Sequence, residues 1–401
     1  MNLIIVDPIL RGSRLQQTYY FIKCLQEQYS RVYLLTRKDY LTDHYVELMS
    51  DLKFQLITSN LDLKGEWMKN LSIREFYILI KALRGINNND QKAILFFAAL
   101  DDYFLPSLVW KDFYRKSWIK KVYFMRYRTD FMMPLKTSFG MNFVKMMLQR
   151  KVLNGILESG DSLIVYDERY FDNPEYKPKK LEINHIKHIP EPWEGDFGRI
   201  TINEGRSVTG IDRTEFVFLT IGKQDVRKGL LTILRAISQI PKGFGGKFKL
   251  HVVGKIQEDI EHEYREIIKT LSHDYIIHEQ QFISEEDLPY YFASANVVML
   301  PYSKEFKYTS GVITRAIASK RPIISSSHGL IGYRNNNLDL GLNFEAGNEE
   351  QLASCMTKML LNYDEYLQRV KKLKSEVADA GRLDLFKEKI LNIFNFEIYT
   401  K

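Results

Sequence analysis

The feature that most narrows what this chain can fold into is a repeated alternation of short β-rich apolar runs with helical patterns. In the first half, strands are expected near Leu3–Val6, Val32–Thr36, Phe54–Ile57, Ala93–Ala98, Lys121–Met125 and Ser162–Tyr166, with helices near Leu15–Tyr29, Ile73–Leu83 and Met141–Leu157. Prolines then break the pattern at Pro174, Pro178 and Pro190-Glu191-Pro192-Trp193, and polar residues follow up to Asp212. The alternation restarts with strands expected at Glu215–Thr220, Lys249–Val253, Tyr275–His278, Val297–Leu300 and Pro322–Ser325, separated by helices near Gly229–Gln239, Glu258–Leu271, Glu286–Ala293 and Gly311–Ser319. Such a series specifies a parallel α/β architecture rather than a sandwich or a bundle.

Two consecutive series imply two Rossmann-like domains facing each other across a cleft, with ligands collecting at the carboxyl ends of the strands. The expected division is residues 1–190, a linker at 191–212, a second domain at 213–378 and a helical tail at 379–401 that crosses back onto the first domain. A length of 401 residues suits two domains, and 45% hydrophobic with 27% charged residues excludes a disordered chain. No repeat of fixed period and no low-complexity tract is present.

Met1-Asn2-Leu3-Ile4-Ile5-Val6-Asp7 is too short an apolar stretch for a signal peptide and reads as a buried strand. No uncharged apolar run reaches the roughly 18 residues that a membrane-spanning helix needs. Cys24 and Cys355 are too far apart in sequence to suggest a disulfide framework or a metal site. The cytosol is therefore the expected compartment.

The formal net charge is +7, and it is unevenly spread. Between Lys111 and Lys151 stand Arg115, Lys116, Lys120, Lys121, Arg126, Arg128, Lys136, Lys145 and Arg150, interleaved with aromatic residues and opposed only by Asp112 and Asp130. This pattern serves an anionic membrane surface, a nucleic acid or simply a solvated basic face. Nothing resembles a nucleic-acid recognition motif, so no nucleic-acid partner is expected. The block and the amphipathic segment after it, residues 110–157, are instead expected to contact the inner face of an anionic membrane peripherally.

Two loops carry the chemistry. After the strand ending at Thr220 comes Ile221-Gly222-Lys223-Gln224-Asp225-Val226-Arg227-Lys228-Gly229, then a helix. Three cations at the carboxyl end of a strand, beside a helix N-terminus whose free N–H groups favour anions, make a phosphate site; a solvated Lys/Arg turn is the plainer reading. After Leu300 comes Pro301-Tyr302-Ser303-Lys304-Glu305-Phe306-Lys307-Tyr308-Thr309-Ser310-Gly311-Val312. Thr309 and Ser310 are good N-caps and Gly311 allows close backbone approach, so consecutive N–H groups cradle a diphosphate. Together the loops form a clamp on a leaving nucleotide.

From about Thr214 to Leu361 the sequence resembles the donor domain of the retaining GT-B glycosyltransferases, the large family numbered four and also called group 1. Its landmarks here are Gly222-Lys223 with Arg227-Lys228-Gly229, Leu250-His251-Val252-Val253-Gly254, Phe282-Ile283-Ser284, Ala295 to Pro301, Ser310-Gly311-Val312, and Ala316 to Ser325. The resemblance implies that Lys223 and Lys228 neutralise the departing diphosphate, with Gly222 and Arg227 in the same loop. Tyr308, Thr309, Ser310, Gly311 and Val312 would serve phosphate and sugar, Phe282 would meet the base, and Gly254 would leave room for the nucleotide. The family usually has two glutamates eight positions apart; Lys307 and Arg315 stand there instead, and a guanidinium has no acceptor for ribose hydroxyls. Glu305 is the nearby acid that compensates, although shifted by two residues.

In the first half, Gly12 lies in the small-residue loop after the first strand and faces the donor in such enzymes. Asp101 is a candidate for positioning an acceptor hydroxyl, with an N-cap role equally open. Arg126 and Arg128 are alternatives for holding an anionic acceptor. His251 reads as a packed sheet residue, and His328 falls in a small-residue loop after a strand. No metal-ligand spacing is found, and no cofactor beyond the nucleotide-diphosphate sugar is expected. The activity implied is glycosyl transfer from that donor to a glycan or lipid-linked saccharide, with retention. The richness in Lys, Asn, Ile and Tyr suggests an AT-rich bacterial source and hence surface polysaccharide biosynthesis. Two alternatives remain at this stage: an inverting enzyme with Asp101 as base, and a non-catalytic GT-B-like subunit.

Overall fold

The computed structural model describes residues 1–8, 10, 12–38, 41–59, 82–83, 86, 91–102, 117–129, 141–172, 183–244, 248–271 and 275–395. The helix expected at Ile73–Leu83, apart from its last two residues, and most of the basic block between 103 and 140 lie outside them. The chain forms two compact units, one built from Met1–Pro190 with the returning segment from Leu383, the other from Glu191–Arg382.

In the first unit a seven-stranded parallel sheet has the order β3-β2-β1-β4-β5-β6-β7. Its strands are β1 (Asn2–Val6), β2 (Arg31–Arg37), β3 (Gln55–Ser59), β4 (Ala93–Phe97), β5 (Ile119–Arg126), β6 (Ser162–Val165) and β7 (Ile186–His188). Because successive side chains point to opposite faces, β1 and β4 divide between two cores. Ile4, Val6, Leu95 and Phe97 pack with Leu153 and Ile156 of the helix Met141–Glu158. Leu3, Ile5, Ile94 and Phe96 pack on the other side with the helix Ser13–Leu25 and with Phe386, Ile390 and Phe394 of the helix Leu383–Asn395. Phe394 stacks on Tyr123 with centroids 4.2 Å apart, and the Tyr123 hydroxyl donates to the Ile393 carbonyl at 2.9 Å. The C-terminal helix thus completes the first unit's core, as the crossing tail was expected to do.

The second unit carries a six-stranded parallel sheet in the order β10-β9-β8-β11-β12-β13. The strands are β8 (Val217–Ile221), β9 (Lys249–Val253), β10 (Ile276–Glu279), β11 (Val297–Leu300), β12 (Ile323–Ser326) and β13 (Gly341–Phe344). Strands β7 and β13 and the helix Gly329–Asn337 were not anticipated from sequence. Among the described residues no helix is long and apolar enough to cross a membrane.

Residues 191–212 are not a free linker but part of the second unit. Trp193, Phe197 and Ile211 are buried in its core. The helix Ile202–Thr209 begins with a capping box between Thr201 and Glu204. Gly205 brings it against the helix Leu288–Ser294 so closely that a Cβ there would stand 2.6 Å from the Ser294 nitrogen. The buried Arg206 then donates to the carbonyls of Ser294, Arg213 and Glu215 and to Asn296 Oδ1 at 2.5–3.1 Å. A segment that looks solvated by composition is thus anchored by one arginine acting as a multiple donor. At the other end, Ala380 to Arg382 stay with this unit, where the Gly381 carbonyl accepts from Trp193 N–H at 2.8 Å.

Candidate functional site

In each sheet the strand order reverses direction once, between β1 and β4 and between β8 and β11. At such a switch point the loops leaving neighbouring strands diverge to opposite faces, and a crevice opens at the carboxyl edge. The second unit's switch point is flanked by both loops singled out from sequence.

Beyond β8 the chain passes Gly222 and Lys223 into a single 3-10 turn at Val226–Lys228, whose Lys228 N–H is capped by the Asp225 carboxylate at 3.2 Å. The helix Leu230–Ile237 follows. Gly229 has φ 71°, and a Cβ there would lie 1.9 Å from the Pro301 carbonyl oxygen, so only glycine lets the two loops touch. The Ser303 N–H donates to the Arg227 carbonyl at 2.9 Å across the same junction. Lys228 is 8% exposed, with its ammonium 3.1 Å from the Ile221 carbonyl and 5.0 Å from the centroid of the Tyr302 ring. Lys223 is exposed at the rim. Arg227 is committed to the loop: it pairs with Asp225 at 3.5 Å and lies 5.0 Å over Phe306.

Beyond β11, Tyr302 stacks on Phe306 with centroids 4.5 Å apart and shares a 2.7 Å hydrogen bond with the Ser310 hydroxyl. Ser310 N-caps the helix Gly311–Ala318 by accepting from Val312 N–H at 3.3 Å. Thr309 donates to the buried Glu191 carboxylate at 2.7 Å and accepts from Arg334 at 3.1 Å. Gly311 stands beside Glu191 Oε1, at 3.6 Å from where a Cβ would be. Tyr308 meets Phe306 edge-on. Glu305 is exposed, and its carboxyl is held below the ordinary glutamate range by its own backbone N–H and the Ser303 hydroxyl, so it folds back on its own loop. Lys307 is exposed, whereas Arg315 pairs with Glu285 at 2.6 Å. His328 donates through Nε2 to the Ser303 carbonyl at 2.9 Å and so braces the loop.

Gly254, at the end of β9, has φ 116°, and a Cβ there would stand 2.4 Å from the Gly222 carbonyl oxygen, so β9 presses on the lysine loop as well. The Phe282 ring is 81% exposed in the turn after β10.

The first unit's switch point holds Gly12 and Asp101 at the ends of β1 and β4. Gly12 caps the helix Ser13–Leu25, with open space where a Cβ would sit. Asp101 accepts from the N–H groups of Tyr127 and Arg128, both at 2.8 Å, and lies 3.6 Å from Arg126. Burial raises its carboxyl above the usual range against these three donors. Arg126 is only 3% exposed, so the surface for an anionic acceptor suggested there rests on Arg128 alone. Sequence reasoning missed Glu191, Arg334, Glu285 and Glu279. They lie far in sequence from the loops they hold, and only the sheet order brings them there.

The Glycosyl transferases group 1 family model matches residues 215–362. No curated protein matches the sequence. Among solved structures, a glycosyltransferase from Rickettsia africae aligns over 100% of this chain and 99% of its own, at 15% identity and a TM-score of 0.69. Sucrose-phosphate synthase from Thermosynechococcus elongatus aligns over 100% of both chains at 16% identity and a TM-score of 0.70. Anabaena HepE, solved with UDP and glucose, aligns over 99% of this chain and 100% of its own at 12% identity and a TM-score of 0.67. Residues 215–362 thus match the group 1 glycosyltransferase family, and the chain as a whole has the two-sheet GT-B fold of these structures.

Proposed function

We propose that this protein transfers a sugar, with retention of anomeric configuration and without a metal, from a nucleotide-diphosphate sugar to a glycan or lipid-linked saccharide in bacterial surface polysaccharide assembly. The observation that carries the reading is Lys228: a nearly buried ammonium at the switch point, beside the capped N-terminus of Gly311–Ala318. A lysine ammonium has three donor hydrogens, and one is given to Ile221. The other two, with exposed Lys223 and the N–H groups that open the helix, supply positive potential where a diphosphate departs. The UDP complex of HepE supports a nucleoside diphosphate as the ligand class.

Retention is favoured by Asp101. Its oxygens already accept two backbone N–H groups beside Arg126, which leaves it poorly placed to serve as the external base of an inverting enzyme. Deprotonation of the acceptor then falls to the departing diphosphate on the same face. The test is a donor screen by release of nucleoside diphosphate, followed by assignment of the product anomer. A chain that releases none from any UDP-, GDP-, ADP- or dTDP-sugar is the non-catalytic alternative, and an inverted product overturns retention.

The acceptor side of the proposal includes an anionic membrane surface. Phe143, Val144, Met147 and Leu148 of the helix Met141–Glu158 are 40–51% exposed on one face, with exposed Lys151 one turn further on. Apolar side chains beside basic ones suit the headgroup boundary of anionic lipid. Flotation with anionic and with neutral vesicles tests it, and equal recovery in both removes the membrane from the proposal.

A further inference from the structure

The turn after β10 is tied at both ends by carboxylates. At its start Glu279, the last residue of β10, accepts at 2.6 Å from His251 Nε2, at 2.7 Å from the Tyr291 hydroxyl and at 2.9 Å from the Gln281 amide. These three partners sit on β9, on the helix Leu288–Ser294 and in the turn itself. An ionised carboxylate only accepts, so the contact fixes the His251 tautomer with its proton on Nε2. At the far end Glu285 receives Arg315 at 2.6 Å. Between the two anchors the Phe282 ring is 81% exposed, so most of its surface is accessible to a ligand.

Each anchor leads to one of the two phosphate elements. The Glu279 carbonyl accepts from Gly254 N–H at 2.8 Å, and Gly254 packs against the carbonyl of Gly222 in the lysine loop. Arg315 belongs to the helix Gly311–Ala318, and its Nη1 also donates to the Gly311 carbonyl at 3.3 Å in the first turn. The turn therefore has a fixed position relative to Lys228 on one side and to the helix N-terminus on the other.

We propose that Glu279 and Glu285 are positioning residues for the donor: they lock the turn 280–285 so that Phe282 presents a fixed face to the planar base of a nucleoside diphosphate whose phosphates lie at Lys228. The inference rests on the donor reading above and adds to it how the base end is set. A flat ring stacks on an aromatic face whatever its edge groups, and the gain depends on the platform being held in place.

The test compares ligands with and without a base. Titration calorimetry on the full chain measures UDP, GDP, ADP and dTDP, and the tightest of them is then compared with inorganic pyrophosphate. Glu279→Gln and Glu285→Gln are expected to weaken the nucleoside diphosphate by about tenfold while leaving pyrophosphate unchanged, and to raise the donor KM without lowering kcat. Phe282→Ala, at a side chain too exposed to unfold the protein, should do the same, and Phe282→Tyr should restore binding. If the glutamate variants weaken pyrophosphate equally, or change neither ligand, the positioning role is wrong. Lys228→Ala separates the two claims: it should weaken both ligands, and if it weakens neither while the glutamate variants behave as expected, the phosphate assignment fails and the base turn stands.

Discussion

Lys228 and Tyr302, from the loops after two different strands, meet with the lysine ammonium 5.0 Å from the ring centroid. The ring holds a charge that is nearly out of solvent, and the Ile221 carbonyl completes the grip. Lys228→Ala should lower kcat about 10²- to 10³-fold, the usual effect of removing one preorganised donor from a developing charge. Lys223→Ala, at an exposed site, should cost less. Release of nucleoside diphosphate measures both, and equal effects would contradict the burial argument.

Gly229 is where the two loops touch. Gly229→Ala sets a methyl 1.9 Å from the Pro301 oxygen at a positive φ, and should destabilise the protein by about 2–4 kcal/mol. Urea unfolding reads the loss directly, and a change below 1 kcal/mol, on the order of an ordinary surface substitution, would show that the loops yield.

Ser310→Ala removes an N-cap and strands the buried Tyr302 hydroxyl that shares its oxygen. The expected cost is about 1–2 kcal/mol of stability, together with a raised donor KM. Ser310→Thr should retain most of both, as measured by thermal unfolding and donor titration.

Burial holds His251 and His278 below the ordinary imidazole pKa of 6.5, and Glu279 only partly opposes this for His251. Above 6.5 neither the folded nor the unfolded chain holds these protons. As the pH falls through 6.5 the unfolded chain takes them up and the folded chain does not, so stability declines by at most about 1.4 kcal/mol per pH unit for each ring. Below the ordinary carboxylate value of 4.5, Glu279 adds a loss of the same sign, since its own pKa is lowered. Denaturant midpoints between pH 7 and 5 measure the slope, and His278→Gln should flatten it; an unaltered slope would assign the decline to other groups.

In the first unit Phe394→Ala removes a ring stacked on Tyr123 and edge-on to Phe96, with an expected cost of about 3–5 kcal/mol. Differential scanning calorimetry should show the first unit's transition moving down while the second unit's stays in place.

The elements that were legible in the sequence are those whose residues state their own environment. The runs Asn2–Val6, Ala93–Phe97 and Val297–Leu300 are fully buried strands, and contiguous apolar residues declare that directly. Strand β13 escaped because Gly341-Leu342-Asn343-Phe344 is short and half polar, with Asn343 satisfied by Ser325 on the neighbouring strand. The helix Gly329–Asn337 ends in three asparagines, which favour turns locally; Asn335 is stabilised there by bonds to Ser325 and to the Leu342 carbonyl. The loops after β8 and β11 were visible because strand, glycine, cation and helix follow one another within a short stretch of sequence. Glu191, Arg334 and Glu285 were not, because a residue's partner across a sheet edge leaves no local mark.

The first unit's core is closed by Phe386, Ile390 and Phe394, which a ribosome delivers only after the whole of the second unit. Until they emerge, the sheet face formed by Phe96 and Tyr123 is covered only in part, by the helix Ser13–Leu25, while the second unit, continuous from Glu191 to Arg382, has its whole sequence available. Folding during synthesis thus runs against the order of the chain, and the earlier-made unit waits, apolar face partly open, for the later one to be finished. A premature stop near residue 382 would release an aggregation-prone polypeptide rather than two independent halves.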